Sequence, residues 1–184
     1  MSTGAVIGII VAVVGVLLIL AATMWMLGRR RELRERFGPE YDRTVDAAGS
    51  RREAERELRA RQKRHDSLEI KPLPPATREQ YAQEWSAVQE HFVDTPNDAV
   101  AEADVLVTRL MNDRGYPTEG YEQRIKDLSV EHGRTLEHYR DAHEVHERAN
   151  HHEATTEELR GAMVHYRELF NELLTTGEHS THTR

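Results

Sequence analysis

The chain has 184 residues, a net charge of −7 and no cysteine, which excludes disulfide bridges, thiolate catalysis and cysteine-ligated metal sites. The charge is unevenly divided. Residues 29–64 hold thirteen Arg or Lys and eight Asp or Glu, an excess of five positive charges, so the remainder of the chain carries −12. Because an acidic distal surface repels phosphate backbones, we expect no nucleic-acid partner.

A long uncharged stretch near the N-terminus dominates the hydropathy pattern. Residues 4–27 read GAVIGIIVAVVGVLLILAATMWML and contain no charged side chain. About 20 apolar residues are enough to span a hydrocarbon core as a helix, so we predict a transmembrane helix over 4–27. The rival interpretation is a cleaved signal peptide, which places basic residues before a shorter apolar run. Here Met1–Thr3 is uncharged and the basic cluster comes after the apolar stretch.

The residues after the apolar stretch predict its orientation. Trp25 occupies the place of an interfacial aromatic, and Arg29, Arg30 and Arg31 follow at once. By the positive-inside rule, the chain is single-pass in the inner (plasma) membrane, with its N-terminus outside and the rest in the cytoplasm. These four residues are the predicted membrane interface, with anionic lipid as the partner of the arginines.

Small residues also recur within the apolar stretch. Gly4, Gly8 and Ala12 follow one another at intervals of four, which places them on one face of a helix. Such a face lets two membrane helices approach closely. A homodimer through these residues is therefore one hypothesis, and glycines with no packing role are the other.

A basic segment, residues 28–69, follows the anchor and is predicted to be a helical stalk. Gly38-Pro39 should end its first helix. Ser50 with Glu53 forms a capping box that should begin another. Leu58 is the only large apolar residue from 51 to 67, so that helix is predicted to be a solvated spacer or a partner surface.

A proline-rich linker over 70–76 separates the stalk from the distal domain, an acidic helical bundle predicted over 77–175. Capping signals at Thr77 with Gln80, at Thr95-Pro96 and at Thr155 with Glu158 mark helix starts, and no strand pattern appears. We predict an all-α fold whose distal part is an antiparallel helical bundle, with a disordered tail over 176–184. The expected core positions are Tyr81, Trp85, Val88, Phe92, Val100, Ala103, Leu106, Val107, Leu110, Leu136, Tyr139, Leu159, Met163, Tyr166, Phe170 and Leu173.

Histidine is the one enriched reactive residue, with eleven in the chain. His143, His146 and Glu147 lie at i, i+3 and i+4, so one helix could offer all three to a metal ion. The zinc motif with histidines at i and i+4 is absent, and a polar helix face with partly packed imidazoles is the alternative. Glu102 and Asp104 read as solvated. Because no nucleophile elbow, phosphate loop or dinucleotide fingerprint occurs, we predict neither an enzyme nor a cofactor.

Four segments of the sequence resemble a family of bacterial membrane or secreted helical proteins with no assigned activity. They are RFGPEYDRTV at 36–45, the segment from Trp85 to Pro117 with EHFVDTPNDAVAEADVLVTRLMNDRGYP, DLS at 127–129 and TEELRGAMVHYRELFNELL at 156–174. The resemblance covers nearly all of the chain after the anchor. It implies a helical protein associated with the cell envelope, and it implies no ligand or catalytic residue.

The sequence is compatible with three functions. The first is a membrane-anchored scaffold or protein-interaction module with an unidentified protein partner. The second is a membrane-tethered bundle that binds a metal or small ligand through the histidine and glutamate face. The third, if the topology is inverted, is an extracytoplasmic envelope factor.

Overall fold

The computed structural model describes the backbone of residues 3–175 and the side chains of residues 13–175. Within that part of the chain the fold is all-helical and has no strand, as predicted. Its eight helices are α1 (Thr3–Phe37), α2 (Pro39–Ala48), α3 (Arg51–His65), α4 (Pro75–Asp94), α5 (Pro96–Arg114), α6 (Tyr121–Leu128), α7 (Leu136–Asn150) and α8 (Thr156–Thr175). The tail predicted at 176–184 lies outside the described residues.

Several helix ends occur where local signals place them. α1 ends at Phe37 and α2 begins at Pro39, with Gly38 between them at φ +54°. The backbone N–H of Glu53 donates to the Ser50 hydroxyl at 3.3 Å, so the predicted cap of α3 is confirmed. At α8 the Glu158 N–H donates to the Thr155 hydroxyl at 3.3 Å and the Thr155 N–H donates to the Glu158 carboxylate at 2.7 Å. This reciprocal pair confirms the capping box there.

The predicted start of α4 at Thr77 is wrong, because the helix begins two residues earlier at Pro75. A proline suits the first turn of a helix, because a backbone N–H at that position would have no hydrogen-bond acceptor within the helix. The shortened linker packs against the end of α5 rather than crossing solvent. Leu73 is buried, and the Lys71 N–H donates to the Arg114 carbonyl at 3.0 Å.

The main hydrophobic core lies among α4, α5, α7 and α8. In it α4 packs on α5, α5 packs on α7 and α8, and α7 packs on α8. Every apolar position expected in the core is buried except Phe92, which is half-buried. The indole of Trp85 stacks on the ring of Phe170 with the centroids 4.7 Å apart. The apolar stripes of these helices were therefore read correctly.

A second hydrophobic core joins the end of α1, α2 and α3 to the segment after α6. It consists of Leu33, Phe37, Tyr41, Leu58 and Val130. The prediction that α3 is a solvated spacer is wrong, because Leu58 has no exposed surface. One large apolar residue is sufficient for α3, since α1, α2 and the segment after α6 supply the remaining apolar surface around it.

Beside this second core, the backbone of the α6–α7 segment lies very close to the backbone at the end of α1. A methyl group at Gly133, in the α6–α7 segment, would collide with the carbonyl of Phe37 at the end of α1. A methyl group at Gly161 in α8 would meet no atom within 4 Å. The same substitution therefore has opposite consequences at the two positions.

We expect Gly133→Ala to lower the free energy of unfolding by about 1–3 kcal/mol, the usual cost of forcing atoms into a packed site. Gly161→Ala should raise it by about 0.5–1 kcal/mol, because alanine is the better residue in a helix interior. Denaturant titration of the full chain in detergent micelles measures both values. A Gly133→Ala variant as stable as the wild type would contradict the close approach of α1.

Candidate functional site

The first candidate site is the apolar part of α1. Within the described residues, one helical stretch, Val13–Phe37, is long and apolar enough to span a membrane. Its most apolar 18-residue window has a mean hydropathy of 1.6, and none of that window is buried. A core helix would bury such side chains against its own chain, and here the chain buries none of them.

The arginines predicted at the membrane interface lie directly after this surface. The guanidinium of Arg29 lies over the Trp25 ring, 4.1 Å from its centroid. Arg31 pairs with Glu35, one turn further along α1, at 2.8 Å, and both side chains are exposed. Arg30 instead reaches Glu55 of α3 at 3.3 Å. The cluster thus has two exposed members and one that joins α1 to α3.

The predicted dimer face consists of Gly4, Gly8 and Ala12. Their backbone belongs to α1, and their side chains lie outside the described residues. The homodimer through this face stays a prediction.

The histidine face of α7 is brought against α5 and α6. The His143 ring stacks on Tyr121 with the centroids 3.9 Å apart. Its Nδ1 lies 3.5 Å from Asp104, and its Nε2 lies 3.9 Å from Glu147. The ring of His146 is 6.0 Å from that of His143. Across the described part of the chain, no group of three or more His, Asp or Glu side chains is arranged to hold a metal ion.

Asp104 is the acidic partner that the sequence reading missed. It was predicted to be solvated, and this is wrong, because it accepts a hydrogen bond of 2.9 Å from the buried Tyr166 hydroxyl. Burial alone would raise the pKa of Asp104, but His143 and the Tyr166 hydroxyl outweigh burial and hold this pKa below its usual value. His143 therefore faces a carboxylate that ties α5 to α7 and α8.

A second constellation resembles a proton relay but lies inside the protein. His132 has no exposed surface, and its two ring nitrogens lie 2.7 Å from the Glu172 carboxylate and 3.1 Å from the Tyr116 hydroxyl. The Thr135 hydroxyl also donates to Glu172. Because Tyr116 is 2% exposed, a substrate has no access to its hydroxyl. We assign this network to holding α8 against the α6–α7 segment.

A polar cleft of about 540 Å³ opens between α2, α3, α6 and α7, with the Tyr121–His143 stack on its wall. Among the residues that line it, Glu40, which is 4% exposed, accepts from Arg61 at 3.2 Å and from Arg140 at 2.8 Å. Four cationic and four acidic residues line the cleft, and they are Arg43, Arg61, Lys126, Arg140, Glu40, Glu57, Glu122 and Glu144. Such a lining suits a polar, charged ligand rather than an apolar one.

The sequence did not predict the cluster of Glu40, Arg61 and Arg140. Glu40 lies 21 residues from Arg61 and 100 residues from Arg140. No periodicity or short motif connects residues at such separations. The only local signal was that two stalk helices carry both acids and arginines.

No protein-family model matches the chain, and no match was found among curated proteins or solved structures. The resemblance to a bacterial membrane or secreted family therefore stays a prediction. The site must be interpreted from its own geometry.

We expect Glu40→Gln to lower the free energy of unfolding by about 3–5 kcal/mol, the usual cost of removing one partner from a buried ion pair. The loss leaves Arg61 and Arg140 close together without their shared counter-charge. The matched control is Glu137→Gln, which removes the exposed partner of Arg43 and should cost no more than about 1 kcal/mol. Denaturant titration compares the two variants, and equal effects would contradict the central role of Glu40.

Proposed function

We propose that the protein is a membrane-anchored helical interaction module. Its apolar segment spans the inner membrane once, with the N-terminus outside and α2–α8 in the cytoplasm. The observation that supports this best is that no residue of the apolar window in Val13–Phe37 is buried. On the same helix Leu33 and Phe37 are buried, so we propose that α1 lies partly in the membrane and partly in the interior of the protein.

The part beyond the anchor is suited to display a surface to a protein partner. We propose that α4, α5, α7 and α8 form an antiparallel bundle, which their short connections and shared core support. A bundle with a well-packed core holds its outer residues in fixed positions. We propose neither an enzymatic activity nor a cofactor for it. The cellular process is to be identified through the protein partner.

Membrane anchoring is tested by placing charges in the exposed apolar surface. Arginine at the centre of a membrane helix costs about 2.5–3.5 kcal/mol per residue. We expect the wild-type chain to stay in the membrane pellet after alkaline extraction, and the double variant Val14→Arg/Leu18→Arg to be released. Val93→Arg is the matched control, since Val93 is 81% exposed on α4, and it should stay in the pellet.

Topology and partner need separate measurements. Protease added to spheroplasts should leave α2–α8 intact, and their digestion while a cytoplasmic marker survives would contradict the proposed orientation. Cross-linking of the membrane-embedded chain followed by affinity capture should recover a specific protein. A chain that recovers only a second copy of itself would make the homodimer the assembled form.

A second candidate function is binding of a metal or small polar ligand through the His143 face. The supporting observation is the polar cleft, whose volume of about 540 Å³ lies within the range of about 300–1,000 Å³ that is usual for ligand pockets. His143 stands on its wall, and His146 and Glu147 lie on the same helix. Recognition would depend on both signs of charge.

Calorimetric titration with Zn²⁺ tests the metal form of this second candidate. If the face binds zinc, the full chain should release binding heat that His143→Asn abolishes and His152→Asn retains. His152 is the matched control because it is exposed at the end of α7. Absence of heat from the wild-type chain, or heat that survives in His143→Asn, would remove zinc binding through this face.

A further inference from the structure

The direction of α3 relative to the anchor follows from two ion pairs. Arg30 of α1 lies 3.3 Å from Glu55, near the start of α3, and Arg36 of α1 lies 3.2 Å from Asp66, just after its end. Going from the N-terminal to the C-terminal end of α1 therefore also goes from the N-terminal to the C-terminal end of α3. The two helices run side by side in the same direction, and the start of α3 is the end nearest the apolar stretch.

This direction sets the height of the α2–α3 turn. A helix rises about 1.5 Å per residue, so Arg51 lies about 6 Å closer to the apolar stretch than Glu55 does. Counting the same distance back along α1 from Arg30 reaches Met26. The turn at Gly49-Ser50 therefore lies near the level of the Trp25 ring, where a bilayer around α1 would have its interface.

The arginines at this end of α3 are exposed and lack acidic partners. Arg51, Arg52 and Arg56 are all exposed and form no ion pair within the described residues. The exposed acids in the same region are Glu32, Asp46 and Glu53. Three unpaired cations, joined by Arg29 on the neighbouring helix, leave this end positive.

The opposite end of α3 uses its arginines differently. Arg64 pairs at 2.8 Å with Asp127, a side chain that is 1% exposed, and Arg61 binds the buried Glu40 at 3.2 Å. The protein thus supplies acids for the arginines far from the membrane and none for Arg51, Arg52 and Arg56. Unpaired cations at the level of an interfacial tryptophan are placed to meet phosphates from outside the chain.

We propose that Arg51, Arg52 and Arg56, together with Arg29, bind the headgroups of anionic phospholipids. The turn between α2 and α3 would then be a second contact with the bilayer beside the anchor. This inference rests on the proposed membrane anchoring. Attraction of this kind acts within about 8–10 Å of the surface, so the α2–α3 turn must lie near the level of Trp25.

The height is tested by fluorescence quenching, and the lack of cysteine in the chain makes single labelling specific. Full-length Leu18→Cys, Ala47→Cys and Lys63→Cys are labelled and reconstituted in vesicles of equal parts phosphatidylcholine and phosphatidylglycerol. Nitroxide lipids labelled on the headgroup or on the acyl chain serve as quenchers. Ala47 precedes the turn, and exposed Lys63 is the matched control at the far end of α3.

We expect headgroup nitroxides to quench the label at position 47 several-fold more than the label at 63, and acyl-chain nitroxides to quench the label at 18. Equal quenching at 47 and 63, with position 18 quenched, would overturn the second contact and leave the anchor intact. A label at 18 that acyl-chain nitroxides do not reach would overturn the anchoring itself.

Headgroup charge is tested by comparing vesicles with and without phosphatidylglycerol. We expect headgroup quenching at position 47 to fall when phosphatidylglycerol is replaced by phosphatidylcholine. The triple variant Arg51→Gln/Arg52→Gln/Arg56→Gln should lose this difference, and Arg160→Gln/Arg167→Gln on α8 should retain it. A difference that survives in the triple variant, or no difference in the wild type, would overturn recognition by these arginines. Circular dichroism checks that each variant keeps its helical content.

Discussion

The continuity of α1 is the constraint on which the rest of the structure depends. One unbroken helix carries an apolar surface that the chain leaves exposed and ends in Leu33 and Phe37, which the chain buries. A flexible connection would separate the orientation of the apolar segment from that of the other helices. Here the end of α1 is packed so closely that Gly133 has no room for a methyl group beside the Phe37 carbonyl. Any tilt of the apolar segment is therefore transmitted to the second hydrophobic core.

The two hydrophobic cores are connected by charged groups more than by apolar ones. Glu40 holds Arg61 and Arg140, and Asp127 holds Arg64, so α2 and α3 are fixed to α6 and α7 through ion pairs with buried acids. A buried carboxylate without a cation would be strongly destabilising, so each buried acid requires its arginine partner. This requirement fixes the register of α3, although α3 contributes only one large apolar side chain to a hydrophobic core. The same pairing surrounds the polar cleft with fixed charges.

Much of the helical architecture could be predicted because its signals are local. Gly38-Pro39, Thr95-Pro96 and the Thr155–Glu158 pair mark boundaries through backbone chemistry that involves only neighbouring residues. The burial of α3 and of Asp104 could not be predicted in this way. Their environments depend on partners from other helices, and a hydropathy pattern reads a charged residue as solvated whether or not a distant arginine or tyrosine meets it. The candidate sites lie among these long-range contacts.

The arginines of α3 show how such contacts give identical side chains different roles. Every one of them has the same intrinsic affinity for phosphate and carboxylate. Arg61 and Arg64 meet acids provided by α2 and α6, which satisfies their charge inside the protein. Because α3 runs in the direction of α1, the arginines without such acids are carried back toward the apolar stretch. The direction of one helix thus separates arginines that pair with acids of the fold from arginines that have no acidic partner within the described residues. A count of charged residues along the sequence does not show this difference.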